Sequence, residues 1–496
     1  MSIKKLTFPP SWRDQIQTSD TEIRFRHQIQ ASGKNIRFRH QIQTVVEVVF
    51  MAKAQRMVKD HLTSFRMIIL SFVLMILTGA VLLCLPWASV GGEKVSFLDA
   101  LFTSTSAACV TGLVVFDTAT KWTVFGRIVI LLLIQVGGLG VVTMAAAVLT
   151  LTGTQIGLLP RLAVQDAVSA PELGSVVKFM KFLIIATFCI EGIGALCLLP
   201  VFAGRLGLQK GLGYAVFHSV SAFCNAGFDL MGTQEPFSSL TSFSSSLAVN
   251  VVIMVLIILG GLGFLTWSDL LNSRFRFKRL RLQTKIILIS TAALIFLPAL
   301  FFYFIEFRNC SGIERLLLSL FQSVTPRTAG FNTADYASMS DSSLLITIML
   351  MMVGGAPGST AGGMKVTTMA VLFLASGAFL RRQDNVNCFR RRIEKEAIQN
   401  AMALLTIYIF LLLAGSIVLS SIEGLPILNS MFECASALGT VGLTTGITTG
   451  LSALSRAILI SFMFFGRIGG LTLGYAFAST IHVNCGMMPV EKVSVG

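Results

Sequence analysis

The chain has 496 residues, of which 54% are hydrophobic and only 13% are charged, and its mean hydropathy is +0.77. These values are typical of a polytopic membrane protein and exclude an ordinary soluble domain. The net charge of +15 lies in tails and loops, which argues against a nucleic-acid-binding face and indicates membrane orientation instead.

Motifs of soluble enzymes are missing from the sequence. It contains no Walker motif, no GxGxxG ahead of a helix in a soluble domain and no HExxH, so it does not indicate an enzyme. The nine cysteines form no CxxC pair and no cluster with the five dispersed histidines. We therefore expect the cysteines to be small buried apolar residues rather than disulfides or metal ligands.

The first 64 residues are polar and basic and are predicted to form a cytosolic tail. The sequence Ile-Arg-Phe-Arg-His-Gln-Ile-Gln occurs at 23–30 and again at 36–43, so the tail contains a tandem duplication. Two interpretations remain open, a docking or membrane-surface segment and a poorly ordered solvated tail.

The rest of the chain is predicted to be an all-α membrane protein of four repeats in a pseudo-fourfold arrangement around a central ion pore. Each repeat would contain a first helix, a short re-entrant helix, a glycine segment and a second long helix. The predicted divisions are 65–151 for repeat 1, 152–271 for a linker and repeat 2, 272–380 for a basic cytosolic loop and repeat 3, 381–480 for a second such loop and repeat 4, and 481–496 for a cytosolic C-terminal tail.

The helix bounds follow from apolar runs of about 20 residues, the length that a bilayer requires. First helices are predicted at 65–87, 179–202, 286–307 and 396–422, and second helices at 124–151, 246–271, 342–380 and 452–480. Re-entrant helices are predicted at 96–108, 213–224, 312–325 and 426–438. Ser96 with Asp99, and Ser311 with Glu314, predict capping boxes at two of them.

A short uncharged segment follows each re-entrant helix, and the four central glycines recur at similar intervals. The four glycine segments are Val110, Thr111, Gly112 and Leu113; Asn225, Ala226, Gly227 and Phe228; Thr328, Ala329, Gly330 and Phe331; and Thr440, Val441, Gly442 and Leu443. Backbone carbonyls in such a run can replace water around a potassium ion, and glycine tolerates positive φ. The carbonyl end of the preceding helix also favours a cation. We therefore predict a potassium filter.

The second helix of repeat 3 would be about 58 Å long if it were continuous, which is too long for a bilayer. Five glycines and a proline interrupt it over residues 354–363, which we call the glycine loop. We predict that this loop is an intramembrane gate beneath the filter. Its proposed members are Gly354, Gly355, Pro357, Gly358, Ser359, Thr360, Gly362 and Gly363. The alternative is a cytosolic turn between two helices.

Two cations accompany the predicted gate. Lys365 comes directly after the glycine loop, and Arg467 lies in the middle of the last predicted span. Charges at membrane depth are costly and usually face protein or water, so we predict that both cations form a barrier and hold the loop by hydrogen bonds. The alternative for each is a snorkelling side chain. Glu191 also lies within a span; we expect it to pair with a polar group of a neighbouring helix and to have no role in conduction.

Basic residues are concentrated in two predicted loops between repeats, at 274–285 and 381–395. Both loops lie on the same side as the basic tail. Eight spans, cytosolic termini and re-entrant helices that enter from outside are therefore predicted.

The four glycine segments, the GGAPGSTAGGMK run at 354–365 and the GRIGGLT run at 466–472 together resemble the Trk/Ktr/HKT superfamily of potassium transporters. The likeness covers residues 65–480 and is strongest to the KtrB/TrkH-type bacterial subunit. It implies four repeats around one potassium pore, a gate in the broken helix of repeat 3 and a pore-facing arginine in the last helix. Gly112 stands where sodium-selective members often carry serine, which favours potassium.

The resemblance also implies partners. The pore subunit is expected to be a homodimer in the plasma (bacterial inner) membrane, in contact with the lipid bilayer. A separate cytosolic nucleotide-binding ring of the KtrA/TrkA type would carry ATP, ADP or NAD(H), so this chain itself is expected to hold no cofactor and no metal beyond potassium. No nucleic-acid partner is expected.

Two other functions remain open on the sequence. One is a sodium-permeable or sodium-coupled cation transporter of the same fold. The other is a secondary carrier that binds an organic solute at broken helices. The four parallel repeats argue against the carrier, because such carriers usually have two inverted halves.

Overall fold

The computed structural model describes residues 64–141, 143–144, 176–233 and 235–470. Over these ranges the chain is helical apart from its connections and one two-stranded hairpin. The duplicated tail, the linker at the start of the second predicted repeat and the predicted C-terminal tail lie outside the described residues.

The helices follow the order predicted for four repeats. Those of nine residues or more are, in chain order, α1 (Ser64–Leu83), α2 (Phe97–Ala108), α3 (Val124–Leu139), α4 (Val176–Leu206), α5 (Leu208–Phe223), α6 (Leu247–Gly261), α7 (Phe264–Asn272), α8 (Leu282–Phe301), α9 (Gly312–Val324), α10 (Asp341–Met351), α11 (Val366–Leu380), α12 (Lys395–Glu423), α13 (Ile427–Gly439) and α14 (Ala453–Ile468). A single helical turn, Thr118–Lys121, lies between α2 and α3. We call α2, α5, α9 and α13 the pore helices. Between α11 and α12 the strands β1 (Asn387–Cys388) and β2 (Arg391–Arg392) pair antiparallel, a hairpin that the sequence did not predict.

Four of the described helices are long and apolar enough to cross a membrane, and they are the first helices of the four repeats. They are α1, α4, α12 and α8 with its π-helical extension Phe302–Glu306. The pair α6 and α7 would count as a fifth span if its bend of 91° lies within one crossing. Large apolar side chains are exposed along these helices, among them Leu74, Phe188, Phe296 and Phe410, as a lipid-facing surface requires.

The second helix of each repeat is interrupted. The predictions of unbroken helices through residues 140, 263 and 469 are therefore wrong. Gly140, Gly263 and Gly469 have φ values of 87°, 86° and 90°, a backbone region that only glycine enters without a steric penalty. The helix before each of them therefore ends. In repeat 3 the interruption is the whole glycine loop, as predicted.

The pore helix of repeat 2 begins five residues before the predicted start at Gly213. Gly207, with φ of 80°, makes the turn between α4 and α5, and Gly213 lies inside α5. A glycine within a helix costs only about 1 kcal/mol relative to alanine, so the packing of α5 against α4 overrides it.

Packing between repeats closes the bundle. The second helix of each repeat packs against the pore helix of the next: α3 on α5, α6 on α9, α10 on α13 and α14 on α2. The last of these contacts joins repeat 4 to repeat 1, so the four repeats form a closed ring.

Neither predicted capping box forms, because Ser96 and Ser311 make no side-chain cap hydrogen bond. The carboxylates bind neighbouring repeats instead. Asp99 of α2 pairs with Arg456 of α14, and Glu314 of α9 accepts a hydrogen bond from the Ser244 hydroxyl at 3.1 Å. These contacts join repeat 4 to repeat 1 and repeat 2 to repeat 3.

The ion pair that closes the ring gives a test of the architecture. Arg456→Ala is expected to lower stability by about 1–2 kcal/mol, because the pair is largely buried and its loss leaves Asp99 without a cation. Thermal unfolding of the purified chain in detergent would measure this change. Lys121→Ala is the control, because the partner of Lys121, Glu93, is 67% exposed and the melting temperature should not move. Equal melting temperatures for both variants and the wild type would contradict the prediction.

Candidate ion filter and glycine loop

The backbone of each glycine segment alternates between positive and ordinary φ. Gly112, Gly227, Gly330 and Gly442 have φ values of 94°, 69°, 78° and 92°. The residue two positions before each glycine also has positive φ: Val110 at 57°, Asn225 at 60°, Thr328 at 71° and Thr440 at 51°. The residue between them does not. Such alternation turns successive carbonyl groups toward one side, whereas a regular strand points them to alternate sides.

Positive φ at Val110, Thr328 and Thr440 is unusual, because these residues are β-branched. Strain of this kind persists only where the surroundings enforce it, and it occurs preferentially at functional sites. The sequence did not predict it, since the residue types at these positions favour extended backbone.

Amide groups of the glycine segments bind the ends of the pore helices. Thr111 N donates to Ser106 O at 2.8 Å, and Val441 N donates to Ser436 O at 2.8 Å. In the same two repeats the glycine amides donate to the hydroxyls of these serines at 3.0 Å. The amides are therefore turned toward the pore helices and the carbonyls away from them.

The carbonyl oxygens of Thr111, Ala226, Ala329 and Val441 accept no hydrogen bond from any described residue. All four residues have no exposed surface. Buried carbonyl groups are almost always paired, so this ring of oxygens requires another partner. A partly dehydrated cation satisfies such a ring.

Contacts among the four glycines show that the segments themselves form a closed ring. A Cβ added to Gly112 would lie 2.5 Å from Ala226 O, one on Gly227 2.7 Å from Ala329 O, one on Gly330 2.5 Å from Val441 O, and one on Gly442 2.1 Å from Thr111 O. Each glycine thus abuts the carbonyl of the next repeat, and the fourth abuts the first. No side chain larger than hydrogen fits without displacing a carbonyl.

The glycine loop lies against residues of repeats 2 and 4 at one end of this ring. Thr360 Oγ1 donates to Phe223 O, the last residue of the pore helix α5, at 3.0 Å. A Cβ on Gly362 would lie 2.1 Å from Thr440 Oγ1, and one on Gly363 2.8 Å from Gly439 O. The loop therefore contacts the first residue of a glycine segment directly.

Backbone hydrogen bonds fix the loop at several places. Its stem is closed by Gly354 N to Met364 O at 2.8 Å and by Val366 N to Gly355 O at 2.9 Å. On repeat 2, Phe264 N donates to Gly358 O at 2.9 Å, and the adjacent Pro357 O lies 2.8 Å from the position of a Cβ on Gly263. Ser359 Oγ donates to Ala356 O within the loop at 2.6 Å.

Arg467 connects three repeats through its guanidinium group. Its Nη1 donates to Thr360 O in the glycine loop, and its Nη2 donates to Gly137 O and, at 2.8 Å, to Gly138 O at the end of α3. The predicted hydrogen bond between Arg467 and the loop is therefore present. Snorkelling does not describe this side chain, because its donors bind protein carbonyls.

Lys365 donates a hydrogen bond only within its own repeat among the described residues, whereas Arg467 binds two other repeats. Its Nζ donates to Ala361 O at 2.8 Å, a bond within the loop and its flank. Glu191 pairs as predicted with a polar group of a neighbouring helix, since Gln135 Nε2 donates to Glu191 Oε2 at 3.3 Å.

One sequence pattern that was missed explains the place of Arg467. Three residues before the positive-φ glycines of repeats 1, 2 and 4 begin the pairs Gly137-Gly138, Gly260-Gly261 and Gly466-Arg467, and the glycine loop of repeat 3 begins with Gly354-Gly355. Three repeats carry glycine at the second position and repeat 4 carries arginine. Aligning the four breaks would have placed Arg467 at the level of the glycine loop rather than simply in mid-span.

Comparison with known proteins identifies the family. The family model described as TrkH, cation transport protein, matches residues 36–483. The chain belongs to the TrkH family. Among curated TrkH-family relatives, it is 40% identical over 421 residues to the Ktr system potassium uptake protein B of Bacillus subtilis, a match that covers 84% of this chain and 93% of the relative. It is 37% identical to the potassium/sodium uptake protein NtpJ of Enterococcus hirae, with 86% and 95% of the two chains covered.

A solved structure shows the same fold. The crystal structure of the potassium transporter TrkH from Vibrio parahaemolyticus superimposes with a TM-score of 0.66 at 20% identity and covers 84% of this chain and 85% of that one. The predicted fold class, an all-α membrane transporter fold, is thereby confirmed, and the chain is a multi-pass membrane protein.

Proposed function

We propose that this chain is the pore-forming subunit of a potassium uptake system in the plasma (bacterial inner) membrane. The observation that carries the proposal is the closed ring of glycine segments, with four buried carbonyl oxygens that no described residue binds. These oxygens would take the place of the hydration shell of a potassium ion. The names of the relatives from B. subtilis and E. hirae support potassium as the substrate.

The glycine loop is proposed to gate this pathway. It touches Thr440 at one end of the ring, and Arg467 ties it to α3 and α14, so all four repeats contribute contacts near this level. A cation at this depth also raises the barrier to a permeating cation. Release of the loop from Arg467 would open the path.

The proposed orientation places both termini and the basic loops at 274–285 and 381–395 in the cytosol. Lys and Arg in short loops favour the cytosolic side. The pore helices would then enter the membrane from the outer side, and the glycine loop would lie on the cytosolic side of the filter. We further propose that the chain forms a homodimer and that its cytosolic face binds a separate nucleotide-binding regulatory protein.

A sodium-permeable transporter is the second candidate function. It is kept because one relative is named a potassium/sodium uptake protein. Gly112 favours potassium, since its lack of a side chain leaves the carbonyls of the ring undisturbed.

Growth rescue tests the proposed function. Expression of the chain, together with its proposed cytosolic partner, should restore growth of a potassium-uptake-deficient bacterium at low potassium, because a functional filter admits the ion that limits growth. Uptake of potassium and of sodium by the same cells would be measured in parallel. Chain that reaches the membrane but restores no growth, with or without the partner, would contradict the proposal. Sodium uptake without potassium uptake would support the second candidate.

A further inference from the structure

Five residues follow each glycine segment, and we call them its mouth segment: residues 114–118, 229–233, 332–336 and 444–448. In repeats 2, 3 and 4 a polar side chain of the pore helix binds the mouth segment of its own repeat. The three side chains are His218, Gln322 and Glu433, and none has any exposed surface. Buried polar side chains inside a membrane protein are costly unless they are hydrogen-bonded, so their bonds indicate what they hold in place.

These three residues occupy equivalent positions. His218 and Glu433 lie nine residues before the central glycines of their repeats, and Gln322 lies eight before its own. The difference of one residue follows from the link in repeat 3, where Ala329 N bonds back four residues to Thr325 O. The corresponding amides of the other repeats bond back five residues.

His218 binds the mouth segment of repeat 2 through one ring nitrogen, while the other binds a carbonyl of its own helix. Its Nδ1 lies 2.7 Å from Tyr214 O, and its Nε2 lies 3.3 Å from Leu230 N. A neutral imidazole with the proton on Nδ1 satisfies both contacts, since Nδ1–H donates to the carbonyl and Nε2 accepts from the amide.

Gln322 binds two residues of the mouth segment of repeat 3. Its Nε2 donates to Thr333 Oγ1 at 3.2 Å, and its Oε1 accepts from the hydroxyl of Tyr336. The ring of Tyr336 packs against Phe432 of the next pore helix, with ring centroids 5.4 Å apart. The held segment of repeat 3 therefore also supports repeat 4.

Glu433 binds two hydroxyls of the mouth segment of repeat 4. Its Oε1 accepts from Thr444, and its Oε2 accepts from Thr448 at 3.0 Å. Thr444 is directly attached to the glycine segment of this repeat. The carboxylate thus fixes the point at which the filter backbone leaves the ring.

Repeat 1 lacks this arrangement and supplies a control. Thr103 lies nine residues before Gly112, but its hydroxyl donates to Asp99 O of the same helix at 2.9 Å. Within the described residues, Thr103 makes no hydrogen bond to the mouth segment of repeat 1.

We propose that His218, Gln322 and Glu433 are positioning residues that hold one end of three glycine segments and thereby set the ion preference of the filter. The inference rests on the proposed function. Preference for potassium over sodium depends on the spacing and field of the carbonyl groups. Loss of the Glu433 carboxylate would remove the shared acceptor of Thr444 and Thr448, whose hydroxyls would keep only each other and the Gly446 amide as partners. The backbone at Thr444 would then shift, and the adjacent carbonyls would lose their alignment.

Ion competition in proteoliposomes tests the inference with Glu433→Ala and Thr448→Val. Each variant is expected to lower the preference for potassium over sodium by about tenfold, because carbonyl spacing controls selectivity. The double variant should add little to Glu433→Ala, since that change already removes the bond between Thr448 and the carboxylate. Thr448→Val is nearly isosteric, so it remains informative if Glu433→Ala fails to fold. Thr103→Val should leave the preference unchanged.

Conservative replacement distinguishes positioning from charge. Glu433→Gln keeps an oxygen acceptor for a threonine hydroxyl, so it should retain most of the potassium preference. Loss in Glu433→Gln equal to that in Glu433→Ala would overturn the positioning role. So would variants with lower melting temperatures or total flux but unchanged ion preference. Wild-type protein that carries no potassium would instead overturn the proposed function, which the same assay reports separately.

Discussion

The potassium flux through the Gly442→Ala variant is expected to be about tenfold or more below that of the wild type, since each 1.4 kcal/mol added to a barrier slows passage tenfold. A Cβ at this position would lie 2.1 Å from Thr111 O, and the φ of 92° is unfavourable for alanine. The carbonyl of repeat 1 must therefore move, and the ring of oxygens no longer matches a potassium ion. Potassium flux into proteoliposomes would measure the loss.

The control for this variant is Gly424→Ala. Gly424 also has positive φ, at 65°, but nothing lies within 4 Å of the position of an added Cβ. Both variants place alanine at positive φ, at a lower backbone cost for the left-handed helical Gly424 than for Gly442, and only Gly442→Ala adds crowding in the filter. Gly424→Ala should conduct as the wild type does. Equal flux in the two variants would contradict the assignment of the glycine segments to the ion path.

The same crowding predicts altered selectivity at the first glycine. A serine at position 112 would press on Ala226 O, 2.5 Å from its Cβ. Gly112→Ser should therefore conduct more sodium relative to potassium than the wild type in the same competition assay. An unchanged preference across replacements of all four central glycines would contradict the filter.

Partial deletion of the glycine loop is expected to raise potassium flux several-fold. Removing residues 357–360 leaves both stem hydrogen bonds, Gly354 to Met364 and Gly355 to Val366, so the flanking helices α10 and α11 keep their connection. The deletion removes Thr360, and with it the contact with Arg467 and the hydrogen bond to Phe223 O at the end of α5. Flux into proteoliposomes and thermal unfolding would be measured together. Flux that stays constant or falls in folded protein would show that the loop is a connector.

Replacements of Arg467 separate its charge from its hydrogen bonds. Arg467→Ala removes both, whereas Arg467→Gln removes the charge and keeps amide donors for the carbonyls of Thr360 and Gly137. If the positive charge is the barrier, both variants should raise potassium flux. If the hydrogen bonds to the glycine loop hold the gate closed, only Arg467→Ala should raise it. Combining Arg467→Ala with the loop deletion should give less than the product of the two effects, because both act on one gate. Independent effects would contradict a shared mechanism.

The helix ends show why part of the fold was beyond prediction. Ser96 and Asp99 have the spacing of a capping box, yet Asp99 pairs with Arg456, which is distant in sequence. A capping box describes only partners nearby in sequence. The packing of repeat 4 on repeat 1 brings in the arginine, a charged partner that binds the carboxylate more strongly than a backbone amide does. The predictions for the second helices fail for the same reason at Gly140 and Gly263. A helix can contain a glycine, and the glycine becomes a break only where packing requires positive φ.

By itself the sequence determined the membrane character of the chain, its four glycine segments and the interruption at residues 354–363, because apolar length and the conformational freedom of glycine are local properties. Only the tertiary structure decided that the carbonyl preceding each glycine meets the glycine of another repeat, that Arg467 binds carbonyls of repeats 1 and 3, and that Glu433 holds Thr444 and Thr448. These contacts join residues whose proximity depends on how the repeats pack around a common axis, and packing between repeats leaves no periodic pattern in a single sequence.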